Sequence, residues 1–211
     1  MSVPKFKNYD SVDLQRQGDA FCAALNAMGQ DVHRLWATEQ WTEYVLDWFA
    51  CAAPTAFEGR PVTVDARSAK PRRAHRMKSL AQRKTWGEFI VDLAHTTYPG
   101  YDDDYWTMKY WERTLDGGPC QVLFALESEW ANLNEVTSRV AVLHDAAKVA
   151  AVNARAKAVV FASRDGVHDA LVNDIQRLRA VTRDVTPWLW IDVPWLVARN
   201  EEWAPNFGVL E

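Results

Sequence analysis

The sequence has few cysteines, no long hydrophobic run and no glycine-rich phosphate loop. Cys22, Cys51 and Cys120 are odd in number and far apart, so they form neither a zinc motif nor a disulfide framework. No apolar run approaches the roughly 18–20 residues of a membrane span, and the opening Met-Ser-Val-Pro-Lys lacks a signal-peptide core. We therefore expect a cytoplasmic protein with no membrane partner. The missing phosphate loop and the missing Gly-x-Ser-x-Gly elbow argue against nucleotide cofactors and serine hydrolase chemistry.

Charge is unevenly distributed along the 211 residues. The formal net charge is −4, which by itself argues weakly against a general nucleic-acid binder. Residues 70–84, however, contain seven lysines or arginines and no acid, whereas residues 102–104 are three consecutive aspartates. The hydrophobic fraction of 48% and the charged fraction of 25% are ordinary for a globular protein and exclude wholesale disorder. The length fits one domain, or one domain with a helical extension.

Hydrophobic periodicity predicts helices combined with buried strands. Apolar stripes at helical spacing predict helices at residues 12–28, 31–52, 136–154 and 166–182. Apolar and β-branched runs predict strands at residues 60–66, 86–98, 120–127, 157–163 and 187–196, with a further short strand around 105–114. The strand–helix–strand order over residues 120–163 fits a crossover between parallel strands. We expect an α/β (α+β) fold with a mixed central sheet, in which an N-terminal helical region, 1–56, packs on a core, 57–211.

Acidic residues lie within two of the predicted buried strands. Glu127 and Glu129 flank Ser128, so in a strand both glutamates point to one face, and Asp92 interrupts the apolar run of residues 90–93. Buried carboxylates need compensation, which either a divalent cation or basic partners provide. The plainer interpretations are a solvated end of the strand for the two glutamates and a turn or cap for the aspartate.

The order of motifs in the second half of the chain is similar to that of a known family. The strand VLFALESEW is followed by a helix with HDAAKVAAVNAR and then by the strand KAVVFAS. Over roughly residues 60–165 this order resembles the PD-(D/E)xK nucleases, the restriction-endonuclease-like phosphodiesterases. Their core is αβββαβ and carries an Asp on one strand and (D/E)-x-K on the next. The resemblance implies a restriction-endonuclease-like αβββαβ core and an endonuclease that hydrolyses DNA phosphodiester bonds with Mg²⁺ or Mn²⁺.

The resemblance also implies roles for individual residues. The family's Asp falls on Asp92 and the acid of its second motif on Glu127; both would bind the metal, with Glu88 as a further ligand. Glu129 stands where the family has its Lys. Some members carry Glu at that position, and in others the Lys moves to the helix, where Lys148 lies. Glu129 or Lys148 would then orient or deprotonate the attacking water.

The basic stretch at residues 70–84 supplies the positive charge that a carboxylate-rich site lacks. We expect it to contact the DNA backbone, which gives sequence-independent and salt-sensitive affinity. The candidate residues are Arg72, Arg73, Arg76, Lys78, Arg83 and Lys84. The alternative is a solvated loop or a site for an acidic protein partner. The aspartates at 102–104 are a competing metal patch or, more plainly, a solvated acidic loop.

Two other interpretations stay open. The first is a catalytically inactive nuclease-fold protein that binds nucleic acid or a partner through the basic stretch, with the N-terminal helices as a homodimer interface or a DNA-binding element. The second is an unrelated α/β domain whose embedded acids pair with Arg139 or Arg155. An ordinary salt bridge between residues three apart on a helix explains Asp145 and Lys148 equally well. None of the five histidines shows a metal-ligand spacing.

Overall fold

The fold combines two pairs of helices with one sheet, as seen in a computed structural model. The structure describes residues 8–28, 38–52, 60–63, 91–96, 122–130, 135–163, 167–193 and 204–211. The helices are α1 (Ser11–Met28), α2 (Thr38–Asp47), α3 (Glu135–Ala151) and α4 (His168–Thr182), and one π-helical turn, Trp48–Ala52, follows α2 directly. The strands are β1 (Arg60–Thr63), β2 (Leu93–Thr96), β3 (Val122–Glu129), β4 (Ala154–Phe161), β5 (Trp188–Asp192) and β6 (Asn206–Leu210). No helix in these ranges is long and apolar enough to cross a membrane.

The six strands form one mixed sheet in which neighbours along the chain are neighbours in space. The strands β1, β2 and β3 pair antiparallel, β3, β4 and β5 pair parallel, and β6 returns antiparallel to β5. The parallel β3–α3–β4 unit is the crossover that the sequence predicted for residues 120–163. The chain is therefore an α+β protein with a mixed central sheet.

Each face of the sheet is covered by a helix pair with its own core. The helices α1 and α2 and the π turn pack on one face, around Phe21, Trp41 and Phe49. The helices α3 and α4 pack on the other face, where Ala146 and Ile175 meet the sheet. Strands between two helix layers are buried on both sides, which explains the near-continuous apolar sequence of β3.

The N-terminal helix α1 is fixed at its start and against the sheet. The backbone N–H of Asp13 donates to the Asp10 carboxylate at 2.9 Å and the N–H of Asp10 donates back to Asp13 at 3.3 Å, a reciprocal cap of the first turn. Further along, a Cβ at Gly18 would overlap the ring of Phe207 on β6. A glycine is therefore required for α1 to approach the edge of the sheet this closely.

The structure differs from the sequence predictions around the second strand and at the C-terminus. The strand predicted over residues 86–98 is a strand at Leu93–Thr96, and residues 91–92 form a bend, so Asp92 precedes the strand instead of lying within it. Residues 86–90 and the strand predicted around 105–114 lie outside the described residues. The strand β6 was not predicted, because its sequence, NFGVL, is short and contains a glycine.

Candidate functional site

The pairing of β2 with β3 brings Asp92 next to Glu127. Leu93 is paired with Leu126, so Asp92, one residue before β2, comes opposite Glu127. The two carboxyl groups are in hydrogen-bond contact. Asp92 is also held by Ser128, whose backbone N–H and hydroxyl both donate to Asp92 Oδ2 at 3.0 Å. These bonds fix one carboxylate oxygen of Asp92.

The helix α3 adds a cation and a third carboxylate to this pair. Glu127 points to the same face of β3 as Ala125, which is the face that α3 covers. Lys148 Nζ lies 3.1 Å from Glu127 Oε1 and 2.5 Å from Asp145 Oδ1. Asp145 and Lys148 are three residues apart and therefore share one side of the helix. We call the four residues Asp92, Glu127, Asp145 and Lys148 the carboxylate cluster.

Burial dominates the electrostatics of Glu127. Its side chain is only 2% exposed, at the end of a strand whose preceding residues are apolar. Desolvation, followed by the charges of Asp92 and Asp145, raises the pKa of Glu127 from 4.5 to about 9, although Lys148 opposes the shift. Without a further cation this carboxyl group therefore carries a proton at neutral pH.

The other members of the cluster respond to the same surroundings. Burial raises the pKa of Asp92, while the hydrogen bonds from Ser128 and the contact with Glu127 act in the opposite direction. Burial lowers the pKa of Lys148, but its bonds to Asp145 and Glu127 outweigh that effect and the pKa is raised. Lys148 is thus held as an ammonium ion by the carboxyl groups of Asp145 and Glu127.

The cluster carries more negative than positive groups. The cluster contains three carboxyl groups and one lysine, so with all four ionised its net charge is −2, and Glu127 and Asp145 are buried. Either protons or a divalent cation can remove this excess. Within the described residues, no three His, Cys, Asp or Glu side chains stand together as a ready metal site. From the part of the chain that the structure describes, Asp92 and Glu127 would hold a cation here together with water, which suits magnesium because it keeps several water ligands.

The remaining predicted site residues lie elsewhere or outside the described ranges. Glu129 is the half-buried last residue of β3, two residues beyond Glu127 on the same face of the strand. The metal ligand candidate Glu88 and the aspartates at 102–104 are outside the described residues. The same holds for all the DNA-binding candidates, namely Arg72, Arg73, Arg76, Lys78, Arg83 and Lys84.

Arg139 and His95 have structural roles. Arg139, considered as a partner of the embedded acids, forms an ion pair with Asp174 that links α3 to α4, and the cation beside Glu127 is Lys148 instead. His95 is 1% exposed, and its Nε2 lies 3.0 Å from the backbone oxygen of Phe49 in the π turn. His95 therefore joins β2 to the helix layer opposite the carboxylate cluster.

Sequence reasoning missed two features of this edge of the sheet. Ser128 was considered only as a spacer between two glutamates, although it is the residue that holds Asp92. A second buried acid, Asp192 at the end of β5, is 6% exposed and binds His168 and Ser163. Asp192 interrupts the apolar run WLWIDV, which is the same signal that singled out Asp92.

Comparisons of the chain with known protein families, with characterised proteins and with solved structures give no match.

Proposed function

We propose that this chain is a metal-dependent phosphodiesterase, a nuclease that cuts DNA with Mg²⁺ or Mn²⁺ held by Asp92 and Glu127. We further propose that its core is of the restriction-endonuclease-like type. The observation that carries the proposal is the carboxylate cluster, in which an acid just before β2, an acid on β3, and an acid and a lysine from α3 come together.

The order of elements supports the proposed core. From α2 onwards the described elements run α2, β1, β2, β3, α3 and β4, which is the αβββαβ order of the PD-(D/E)xK nucleases. Asp92 immediately precedes the second of these strands, Glu127 lies on the third, and Lys148 comes from the crossover helix. These are the positions that the resemblance assigns to the metal-binding acids and to a lysine that has moved to the helix.

The excess negative charge supports a cation as the missing partner. A structural ion pair of Glu127 and Lys148 would not require a third buried carboxyl group, yet Asp145 is 6% exposed and bonded to the same lysine. Buried ionised groups are costly unless they are compensated. A divalent cation between Asp92 and Glu127 would balance the cluster and displace the proton that Glu127 otherwise holds.

The residues of the cluster divide the chemistry between them. When bound, the metal would stabilise negative charge developing on the phosphate and lower the pKa of an attacking water. Asp92 and Glu127 would hold it, with Ser128 fixing the orientation of Asp92. Lys148, about one-third exposed, can reach solvent and would orient the water or neutralise the phosphate charge. Asp145 keeps this lysine in place. The basic stretch at 70–84 stays the predicted contact to the DNA backbone.

Calorimetric titration of Mg²⁺ and Mn²⁺ into the full chain, with plasmid nicking on the same samples, tests the proposal. We expect binding and nicking by the wild type, neither by Glu127→Ala, and metal binding without nicking by Lys148→Met. Asp174→Asn, which removes an acid of the same α-helical layer outside the cluster, is the matched control and should behave like the wild type. Metal binding that survives Glu127→Ala, or a wild type that binds no metal, would overturn the proposal.

One observation favours the inactive, non-catalytic alternative. Lys148 bonds to both Glu127 and Asp145, so the cluster already contains a cation that ties α3 to the sheet. A protein of this kind would bind nucleic acid through its basic stretch and use the cluster only for stability. This alternative is favoured if the wild type binds no metal and Lys148→Met destabilises the fold. It also requires that charge reversal at Arg72 and Arg73 removes DNA binding, while Glu127→Ala leaves DNA binding intact.

A further inference from the structure

Lys148 lies between two carboxyl groups that come from different elements of the fold. Its Nζ is 2.5 Å from Asp145 Oδ1 and 3.1 Å from Glu127 Oε1. Asp145 precedes Lys148 by three residues on α3, whereas Glu127 belongs to β3. The shorter of the two ion pairs is therefore the one within the helix. Lys148 can leave Glu127 without leaving its partner on α3.

The lysine side chain has room to make this movement. It is 31% exposed, whereas Glu127 and Asp145 are buried. Its four-carbon stem is flexible and ends in three N–H donors. A shift of the amine towards solvent breaks the ion pair with Glu127, and the buried Glu127 side chain cannot follow it. The position of Lys148 in the cluster is therefore the one that adjusts most easily.

The charges of the carboxylate cluster separate into two balanced pairs once a divalent cation is added. When ionised, Asp92 and Glu127 together carry two negative charges, which one divalent cation neutralises, and Asp145 and Lys148 then neutralise each other. Without that cation Lys148 serves Glu127 and Asp145 at once. An ammonium group and a divalent cation on one carboxyl group repel each other, and the repulsion is strong where water is largely excluded.

We propose that Lys148 is an internal counter-ion that a divalent metal ion displaces from Glu127, leaving the lysine on Asp145. In the metal-free protein the lysine blocks an oxygen of Glu127, and metal binding releases one of its N–H donors towards solvent. A released ammonium donor is a strong contact for a phosphate oxygen of the substrate. Metal binding therefore precedes the contact of Lys148 with substrate. This inference rests on the proposed function, because it requires that Asp92 and Glu127 bind the metal.

Calorimetric titration of Mg²⁺ into the full chain and two variants measures the competition. We expect Lys148→Met to bind Mg²⁺ at least about tenfold more tightly than the wild type, because the competing ammonium group is gone. Arg139→Met is the matched control, since it removes a cation of the same helix that is paired with Asp174. Its affinity should stay within about twofold of the wild type. Equal affinities of Lys148→Met and the wild type would overturn the inference.

The Nζ resonances of the ¹⁵N-labelled chain report whether Lys148 leaves Glu127, with the Lys148 signal assigned by its loss in Lys148→Arg. We expect Mg²⁺ to move this signal towards its position in metal-free Glu127→Ala, in which the ion pair cannot form. The signal of Lys157, which is bonded to Asp184 and to a backbone oxygen, should not move. A Lys148 signal that stays in place while Mg²⁺ binds would overturn the inference and leave the proposed function intact.

The calorimetry also separates a failure of this inference from a failure of the proposed function. Absence of Mg²⁺ binding in both the wild type and Lys148→Met would overturn both. Binding by Lys148→Met alone would confirm that the lysine competes for the site, and would overturn the proposed function of the wild type.

Discussion

Replacing Glu127 by glutamine should stabilise the protein at neutral and alkaline pH and leave its stability unchanged near pH 4.5. Burial and the nearby charges raise the pKa of Glu127 from 4.5 to about 9. Between these values the unfolded chain has released the proton and the folded chain retains it. The folded state binds more protons, so its stability falls as pH rises through this window and levels off above about pH 9.

The size of the effect follows from the shift. Each pH unit in the window costs about 1.4 kcal/mol, so the carboxyl group destabilises the fold by about 3 kcal/mol at pH 7. With 2% of the side chain exposed, solvent screening takes away little of this penalty. Glutamine has nearly the same shape and can still accept a hydrogen bond from Lys148, but it does not titrate. The free energy of unfolding of the variant should therefore not fall with pH in this window.

Urea unfolding at pH 5, 7 and 8.5, followed by tryptophan fluorescence, measures the difference. The gap between Glu127→Gln and the wild type should grow by about 1.4 kcal/mol per pH unit. Asp47→Asn, a matched change of an exposed acid at the end of α2, should show no such growth. A gap for Glu127→Gln that is the same at all three pH values would refute the reasoning, because it would mean that Glu127 is ionised in the folded protein.

Three further predictions concern stability and reactivity. Gly18→Ala should lower the free energy of unfolding, measured in urea, by about 1–2 kcal/mol. The new methyl group overlaps the Phe207 ring, and the cost of this overlap exceeds the gain in helix propensity from glycine to alanine. Lys157→Met should cost about 3–5 kcal/mol, since it leaves the buried Asp184 carboxylate without its cation; Asp184→Asn with Lys157→Met should recover part of the loss. Burial raises the pKa of Cys22 to about 12, so in a variant with the other two cysteines replaced by serine, a thiol reagent at pH 8 should react only after unfolding.

The elements with strong periodicity could be predicted from the sequence, and the irregular ones could not. The predicted helix 12–28 corresponds to α1, and the apolar run 120–127 corresponds to β3, because one face or both faces of these segments are buried. The π turn at Trp48–Ala52 leaves no trace in the apolar pattern of the sequence, although the backbone of Phe49 bonds to His95 there. The π turn has its partner, His95, on a distant strand, and the sequence of the turn alone does not reveal that partner.

Candidate acids could be found from the sequence, whereas their partners could not. Asp92 and Glu127 stand out because a charge within an apolar run has to be compensated wherever it is buried. Which group compensates each one depends on strand register and helix packing. Lys148 reaches Glu127 only because α3 lies over β3, and Ser128 reaches Asp92 only because β2 pairs with β3 in this register.

The two buried acids at the carboxyl ends of β3 and β5 differ in a way that bears on function. Asp192 accepts three hydrogen bonds, two from Ser163 and one from His168, so its carboxylate is compensated within the protein. Among the described residues, Glu127 has one donor, Lys148, which it shares with Asp145, and it faces the Asp92 carboxyl group as well. A fold that needed only stability could satisfy Glu127 in the way it satisfies Asp192. The incomplete compensation of Glu127, beside a lysine that reaches solvent, is therefore the feature that most favours a cation-binding site at the end of β3.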